Sequence, residues 1–274
     1  MSLQAPAVRN VRFSLDEDVP RFWHGGRKSV TAFFDNLSIF FPVGERFFIA
    51  SVRAHRHHVK TERLRAEVKL FCGQEGVHGR EHDRYNDLLR ARGYPVDAME
   101  RRIEEILARA TRLPRRLRLA ATCALEHFTA LMAHFLLADP RMLEGADETM
   151  AALWRWHAAE ENEHKAVAYD VYLAAGGHWV ERCLVMAVAS AIFWFKIGEQ
   201  QARMMKADGT LFSLREWSSL VGFLFVSPGG MRRVAGKYFQ YFRPGFHPND
   251  IDASGLLEAW QQEHGASIAQ RDAA

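Results

Sequence analysis

Cysteine is scarce in this sequence, and the three that occur, Cys72, Cys123 and Cys183, are far apart and odd in number. That pattern argues against a framework of disulfide bonds and is typical of reduced thiols. An excess of charge of one sign is also lacking, because 36 basic and 33 acidic residues leave a formal net charge of only +3. The basic residues are interspersed with acidic ones, so we expect no nucleic-acid partner.

Long apolar runs are missing as well. The stretch from Cys183 to Phe195 is apolar over 13 residues, which is short of the roughly 18 needed to span a bilayer. We therefore expect a buried helix there, with contact at a membrane surface as the alternative. The segment from Met1 to Asp18 shows no cationic start followed by an apolar run, so we expect no secretory signal and a cytoplasmic location.

Sustained alternation of apolar and polar residues is absent too, and apolar residues instead recur with helical spacing. We predict an all-α protein whose first ~25 residues are irregular. Pro42 is predicted to begin a helix, and Asp97 to cap one. The predicted helices cover residues 29–40, 43–59, 61–92, 97–110, 115–138, 147–175, 178–208, 214–242, with a break near 227–230, and 253 onward.

No linker in the sequence is long or polar enough to separate two domains. We predict a single all-α domain over residues 1–274. A metal-binding four-helix bundle would occupy about residues 29–175, and additional C-terminal helices over about residues 178–270 would cover it.

Two Glu-x-x-His sequences are the most informative feature of the chain, and each follows a segment that holds one further glutamate. Residues three apart on a helix lie on nearly the same face, so the carboxylate and the imidazole can bind one metal ion. Two such helices facing two helices with one glutamate each form a dinuclear site inside a four-helix bundle. The six candidate ligands are Glu45, Glu75, His78, Glu126, Glu161 and His164.

The two lone glutamates differ in their surroundings. Glu126 lies within the apolar run from Ala120 to Met132, where an unpaired carboxylate would be costly to bury, so a metal ligand is the simplest explanation. Glu45 follows Gly44 near a predicted helix start. It is therefore either a ligand or an exposed acid in a first helical turn.

Further histidines raise the question of additional ligands. His157 precedes Glu161 by four residues on the same helical stripe, so we count it as a seventh candidate, the alternative being an ordinary core or surface histidine. His82 is more readily explained as a group that contacts a ligand or solvent. Glu160 and Glu163 are predicted to point away from the stripe, toward solvent or toward the outer side of a ligand.

The ligand set indicates which metal to expect. Four carboxylates with two or three imidazoles are hard, oxygen-rich donors that suit iron or manganese, whereas structural zinc usually involves cysteine. We predict two iron ions, with manganese as the alternative.

The order of these residues resembles that of the ferritin-like di-iron carboxylate superfamily. The sequence His157-x-x-x-Glu161-x-x-His164 is similar to the extended motif of p-aminobenzoate N-oxygenase, which has an additional histidine ligand. The chain from Val8 to Asp170 most resembles the bacterial family of predicted metal-dependent hydrolases. The resemblance implies that the six residues are ligands and that His157 is the extra one.

Three functions remain open at this point. The first is an oxygenase or oxidase that uses dioxygen and an electron donor on a small hydrophobic or aromatic substrate, with the aromatic C-terminal part either covering an apolar pocket or forming ordinary core. The second is a metal-dependent hydrolase in which Glu160 or Glu163 carries the proton, since no Gly-x-Ser-x-Gly sequence occurs. The third is a non-enzymatic iron-binding helical protein. A homodimer is compatible with each of them.

Overall fold

A computed structural model describes residues 7–272, and within that range the chain is helical without a β-strand, which confirms the predicted all-α class. The first residues of Met1–Asp18, on which the expectation about a secretory signal rests, lie outside the described range. The helices are α1 (Lys28–Arg53), α2 (Glu62–Ala91), α3 (Val96–Ala110), α4 (Arg115–Ala138), α5 (Glu148–His164), α6 (Val167–Ala174), α7 (Trp179–Ala207), α8 (Leu214–Val221), α9 (Gly230–Gln240) and α10 (Ser254–Asp272).

Local sequence signals set several helix ends. Thr61 accepts a hydrogen bond from the Leu64 N–H at the start of α2, and Asp147 caps α5 in the same way. Asp97 is not a cap, because α3 begins one residue before it and Asp97 lies in the first turn. Gly93 follows α2 with φ +84°, a conformation that glycine adopts without strain.

Four helices form a bundle around the candidate site. The hairpin of α1 and α2 packs against the hairpin of α4 and α5, and each pair is in close contact along its length. Most of their buried side chains are apolar, and the candidate ligands lie at the centre of the bundle. The bundle thus provides four separate helices from which ligands can converge.

The predicted helix start at Pro42 is wrong, because α1 runs without interruption from Lys28 to Arg53 with Pro42 inside it. Proline lacks the N–H that would bond to the carbonyl of Ser38. The Nδ2 of Asn86 on α2 donates to that carbonyl at 3.4 Å instead. A side chain from the neighbouring helix therefore compensates for the missing backbone hydrogen bond, and single-sequence rules do not detect this.

The single predicted helix over residues 147–175 is also divided, since α5 ends at His164 and α6 begins at Val167. No glycine or proline marks the break. Lys165 is buried there, and its ammonium group donates to the carbonyl of Ile251, near the start of α10. Burial lowers the pKa of Lys165 to about 8.

Each of the helices that follow α6 packs against at least one helix of the bundle. Helix α7 lies against α4 and α1, α8 against α1, α9 against α4, and α10 against α5 and α4. The expected burial of residues 183–195 is wrong. One side of α7 faces the bundle and the other is open, so that Leu184 is 65% exposed and Val188 60% exposed.

One helix among the described residues, α4, is long and apolar enough to cross a membrane. Most of its apolar stretch is buried inside the protein, with Leu119 and Ala124 fully inaccessible. Its composition is that of a core helix.

The irregular segment before α1 lies across α2 and contributes to the core. The Phe13 side chain is buried, and its N–H donates to Oε2 of Glu81 at 3.0 Å. Arg9 extends further toward α5 and reaches Glu160 and Glu163. This segment therefore encloses one side of the candidate site.

Candidate metal centre

All seven residues predicted as ligands meet at the centre of the bundle. Helix α1 contributes one of them, α2 two, α4 one and α5 three, and each is at most 3% exposed. Three overlapping groups place one donor atom from each member within 4.8 Å of the others. These groups are Glu45–His78–His157, Glu75–Glu126–His164 and Glu75–His78–Glu161.

Glu75 and His78 are the members that the groups share, and Glu161 lies close to a histidine of each group. Its Oε1 lies 3.1 Å from Nε2 of His157, and 3.7 Å from both Nδ1 of His78 and Nε2 of His164. The same His164 nitrogen lies 3.1 Å from Oε1 of Glu75. A carboxylate in such a central position would help to hold the metal ions.

Each of the three histidines directs one ring nitrogen inward and holds the other against an outer partner. His78 contacts Glu160 at 3.0 Å, His157 contacts His82 at 2.8 Å, and His164 contacts Gln74 at 3.0 Å. An outer hydrogen bond of this kind fixes the tautomer and the ring orientation of metal-binding histidines.

The inward atoms have no hydrogen-bond partner among the described residues. They comprise both carboxylate oxygens of Glu45, Glu75 and Glu126, Oε2 of Glu161, Nδ1 of His78, and Nε2 of His157 and His164. Buried polar atoms are nearly always satisfied, because desolvation without a partner is costly. A concentration of unsatisfied carboxylate oxygens and imidazole nitrogens is the arrangement that bound cations would complete. The residues present therefore fit a dinuclear metal group.

The pKa shifts of the clustered residues also indicate a need for bound cations. Burial and the charge of Glu75 raise the pKa of Glu45 and of Glu126 well above the usual range. Burial and the neighbouring His157 lower the pKa of His78. At Glu161 the effect of burial is outweighed by His157 and His164, so that its pKa is lowered. Mutually repelling buried carboxylates call for cationic compensation.

A set of outer residues holds this arrangement in place. Arg9 donates to Glu160 at 2.9 Å and pairs with Glu163 at 2.7 Å, and Trp156 donates to the same Glu160 oxygen at 2.9 Å. Gln74 donates to Glu163 at 2.8 Å while its oxygen meets His164. Both glutamates therefore face away from the cluster, in agreement with the sequence-based expectation.

The structure resolves the alternatives left open for Glu45 and His82. Glu45 lies in the middle of α1 and is 1% exposed, so it is not an exposed first-turn acid. His82 is buried and contacts His157 on one side and Oγ of Ser38 at 2.9 Å on the other. Arg9 and Gln74 escaped the sequence-based analysis, because nothing in their local sequence relates them to α5.

Two apolar cavities adjoin the cluster. A small one, of about 50 Å³, is lined by Phe34, Phe41 and Trp154 and reaches His157 and Glu161. A larger one, of about 610 Å³, lies between α1, α3, α4 and α7 and reaches Glu45. Thr129 lines both, so the cluster lies between a small cavity and a large groove.

Comparison with known protein families gives a match over residues 7–252 to a family described as "predicted metal-dependent hydrolase". The chain belongs to this family. No curated protein and no solved structure matches the chain. The family description supports a metal-dependent enzyme, and it favours the hydrolase hypothesis over the oxygenase hypothesis. The family description names neither iron nor a ferritin-like fold.

Proposed function

We propose that the chain is a dinuclear metal enzyme in which the seven clustered residues hold two iron ions, or two manganese ions, and that it oxidises an apolar substrate with dioxygen. The single observation that carries the proposal is the convergence of buried acceptor atoms without partners on one point between four helices. When bound, two ferrous ions supply electrons for the reduction of dioxygen. An electron donor restores them.

Charge balance favours redox chemistry at this site. Four carboxylates offset the charge of two divalent cations, so the loaded site would be neutral overall. A neutral site would lower the pKa of bound water less than a cationic three-histidine site does. It also stabilises a further increase in positive charge, which oxidation of the metal requires.

The surrounding residues exclude water and orient the ligands. Phe41 lies 4.4 Å from the ring of His157, and Trp156 lies 4.9 Å from the ring of His78. His82 and Glu160 hold the outer nitrogens of these two histidines, so that the inner nitrogens face the cluster. The apolar lining of both cavities suits a substrate without many polar groups.

Metal-dependent hydrolysis is the second candidate function, and the family description favours it. Glu160 and Glu163 do not suit the role of proton carrier in that reaction, because they are held on the outer side of the ligands and line neither cavity. Glu45 is the better candidate, since it is a carboxylate of the cluster that also faces the large groove.

The test is metal analysis of anaerobically purified protein, followed by ferrous loading, addition of dioxygen and measurement of its consumption with a reductant. We expect about two irons per chain, as in other dinuclear bundle sites, and a new absorption band on exposure to dioxygen. Glu126→Ala should lose metal, whereas Glu104→Ala, an exposed position on α3, should retain it.

Two redox-inert ions, no oxygen consumption and ester or amide cleavage would replace the proposal with hydrolysis. Bound iron without any turnover would favour the non-enzymatic alternative. Absence of stoichiometric metal would refute the dinuclear assignment itself.

A further inference from the structure

The large cavity is a long groove, which we term the α7 groove. It is formed by the open side of α7, by α4 and α3 opposite, and by α1 beneath. Val180, Leu184, Val188 and Ile192 repeat every four residues along α7 and form one wall. Leu117, Ala121 and Leu125 form the facing wall on α4 with the same spacing.

The shape of the groove indicates an elongated ligand. From Val180 to Lys196 it follows α7 for about 24 Å at the usual helical rise, and its volume is about 610 Å³. The polar residues of its lining are few: Glu45 and Thr129 on the side of the metal cluster, and His178, Glu181 and Lys196 near its two ends. A long apolar space of this kind fits an extended hydrocarbon chain better than a compact aromatic ring.

The wall formed by α7 is exposed. Leu184 and Val188 are more than half accessible, and Leu113 at one end of the groove is 46% exposed. Exposed apolar side chains that form one continuous surface are typical of binding sites, because covering them with another apolar group is favourable.

The end of the groove at Leu113 is strongly basic. Residues 106–118 contain five arginines and no acidic residue. Arg116 pairs with Glu181 across this end at 2.9 Å. Arg109, Arg112 and Arg115 form no ion pair with any residue in the range 7–272 and are exposed around Leu113. This end is therefore suited to an anionic group.

We propose that the α7 groove binds a single-chain anionic amphiphile of the long-chain fatty acid class, with its hydrocarbon chain along α7 and its carboxylate at the arginines around Leu113. As a substrate assignment this rests on the proposed function, because Glu45 on the side of the groove belongs to the metal cluster. The binding itself depends only on the groove and on the basic end.

The test is calorimetric titration of the purified full-length protein with hexadecanoate, octanoate and the uncharged hexadecanol. Ala189→Trp fills the groove, and Ala187→Trp, an exposed position outside the groove on the same helix, is its control. We expect saturable binding of hexadecanoate, weaker binding of octanoate, and about tenfold or greater loss of affinity in Ala189→Trp alone.

A surface variant tests the basic end without altering the core. In Arg112→Glu/Arg115→Glu the affinity for hexadecanoate should fall about tenfold while that for hexadecanol is kept. Arg101→Glu, an exposed position in the first half of α3, should change neither. The same variant is titrated with vesicles of anionic phospholipid. A loss of affinity for free hexadecanoate identifies the free fatty acid as the source of the ligand, whereas a loss of affinity for the vesicles alone would identify the phospholipid.

Several results would overturn the assignment: no saturable binding of hexadecanoate, equal affinities in Ala187→Trp and Ala189→Trp, or a hexadecanoate affinity that the charge reversal leaves unchanged. A dimer that Ala189→Trp dissociates would show that a second copy of the chain occupies the groove. Binding is measured without turnover, so a failure here is distinct from the absence of iron or of oxygen consumption, which would refute the proposed function instead.

Discussion

Nε2 of His78 lies 3.0 Å from Oε2 of Glu160, and this contact leaves Nδ1 of the same ring directed at the carboxylate cluster. The other oxygen of Glu160 accepts hydrogen bonds from Arg9 and Trp156, so the orientation of the carboxyl group is fixed from three sides. Burial raises the pKa of Glu160 to about 8 even though the Arg9 charge acts to lower it, so Glu160 is an ionised acceptor for the His78 N–H above that pH, where the comparison below is made. The residue is therefore placed to determine which nitrogen of His78 carries the proton.

Replacement of Glu160 by glutamine should weaken metal binding without removing a ligand. A glutamine amide can donate to Nε2 of His78, which would shift the ring proton to Nδ1 and remove the lone pair that faces the cluster. We expect about a 10-fold to 100-fold loss of metal affinity, measured by competition with a chelator. Glu148→Gln, at an exposed position on the same helix, is the control. Equal affinities in the two variants would show that Glu160 does not orient His78.

Gly79 on α2 allows the carboxylate of Glu45 to lie against the helix. A Cβ added at Gly79 would be 3.1 Å from Oε2 of Glu45, whereas one added at Gly76 would meet nothing within 4 Å. Gly79→Ala should displace that carboxylate and lower the metal content. Gly76→Ala should retain full metal and gain about 0.5–1 kcal/mol of stability from its helix propensity. Full metal occupancy in both variants would show that the close approach to Gly79 does not fix the position of the Glu45 carboxylate.

The ligand cluster was predictable from sequence because its signal is local. The spacing of Glu75 with His78, and of Glu161 with His157 and His164, places donors on one helical face regardless of the rest of the fold. The lone glutamates depend on partners in other helices. Glu126 was recognisable by its apolar surroundings, whereas Glu45 remained ambiguous because Pro42 and Gly44 resemble a helix boundary.

The parts that sequence did not predict depend on tertiary contacts. The continuity of α1 relies on Asn86, more than 40 residues away in the chain, for the hydrogen bond that Pro42 cannot form. Arg9 reaches α5 from an irregular segment without any periodic pattern. The exposure of α7 follows from the absence of a further helix over its outer side among the described residues, which composition alone does not reveal.

Asp35 makes the stability of the protein depend on pH. Its carboxyl group is buried and accepts hydrogen bonds from Trp23 at 2.9 Å and from Tyr85. Burial raises its pKa to about 7, although these two bonds act to lower it. Because the folded state holds this proton more tightly than the unfolded state does, the stabilisation is present below about pH 4 and is lost as the pH rises toward 7.

Asp35→Asn should therefore be more stable than the wild type at pH 8 and show a flatter stability profile between pH 4 and 8. The shift corresponds to an upper limit of about 4 kcal/mol. Urea unfolding at a series of pH values measures it, with exposed Asp87→Asn as the control. A wild-type profile as flat as that of the variant would show that Asp35 is ionised in the folded protein.

Metal removal should destabilise the protein because it leaves four buried carboxylates without compensating charge. At free metal a thousand times above the dissociation constant, binding adds about 4 kcal/mol to the free energy of unfolding. Glu126→Gln removes one of the repelling carboxylates, whose pKa is raised by burial and by Glu75. This variant should be more stable than the wild type without metal at neutral pH, and it should gain less when metal is added. Thermal unfolding of the wild type and of Glu126→Gln, each with and without a chelator, measures these differences. A wild-type midpoint that the chelator leaves unchanged would contradict a cation-filled cluster.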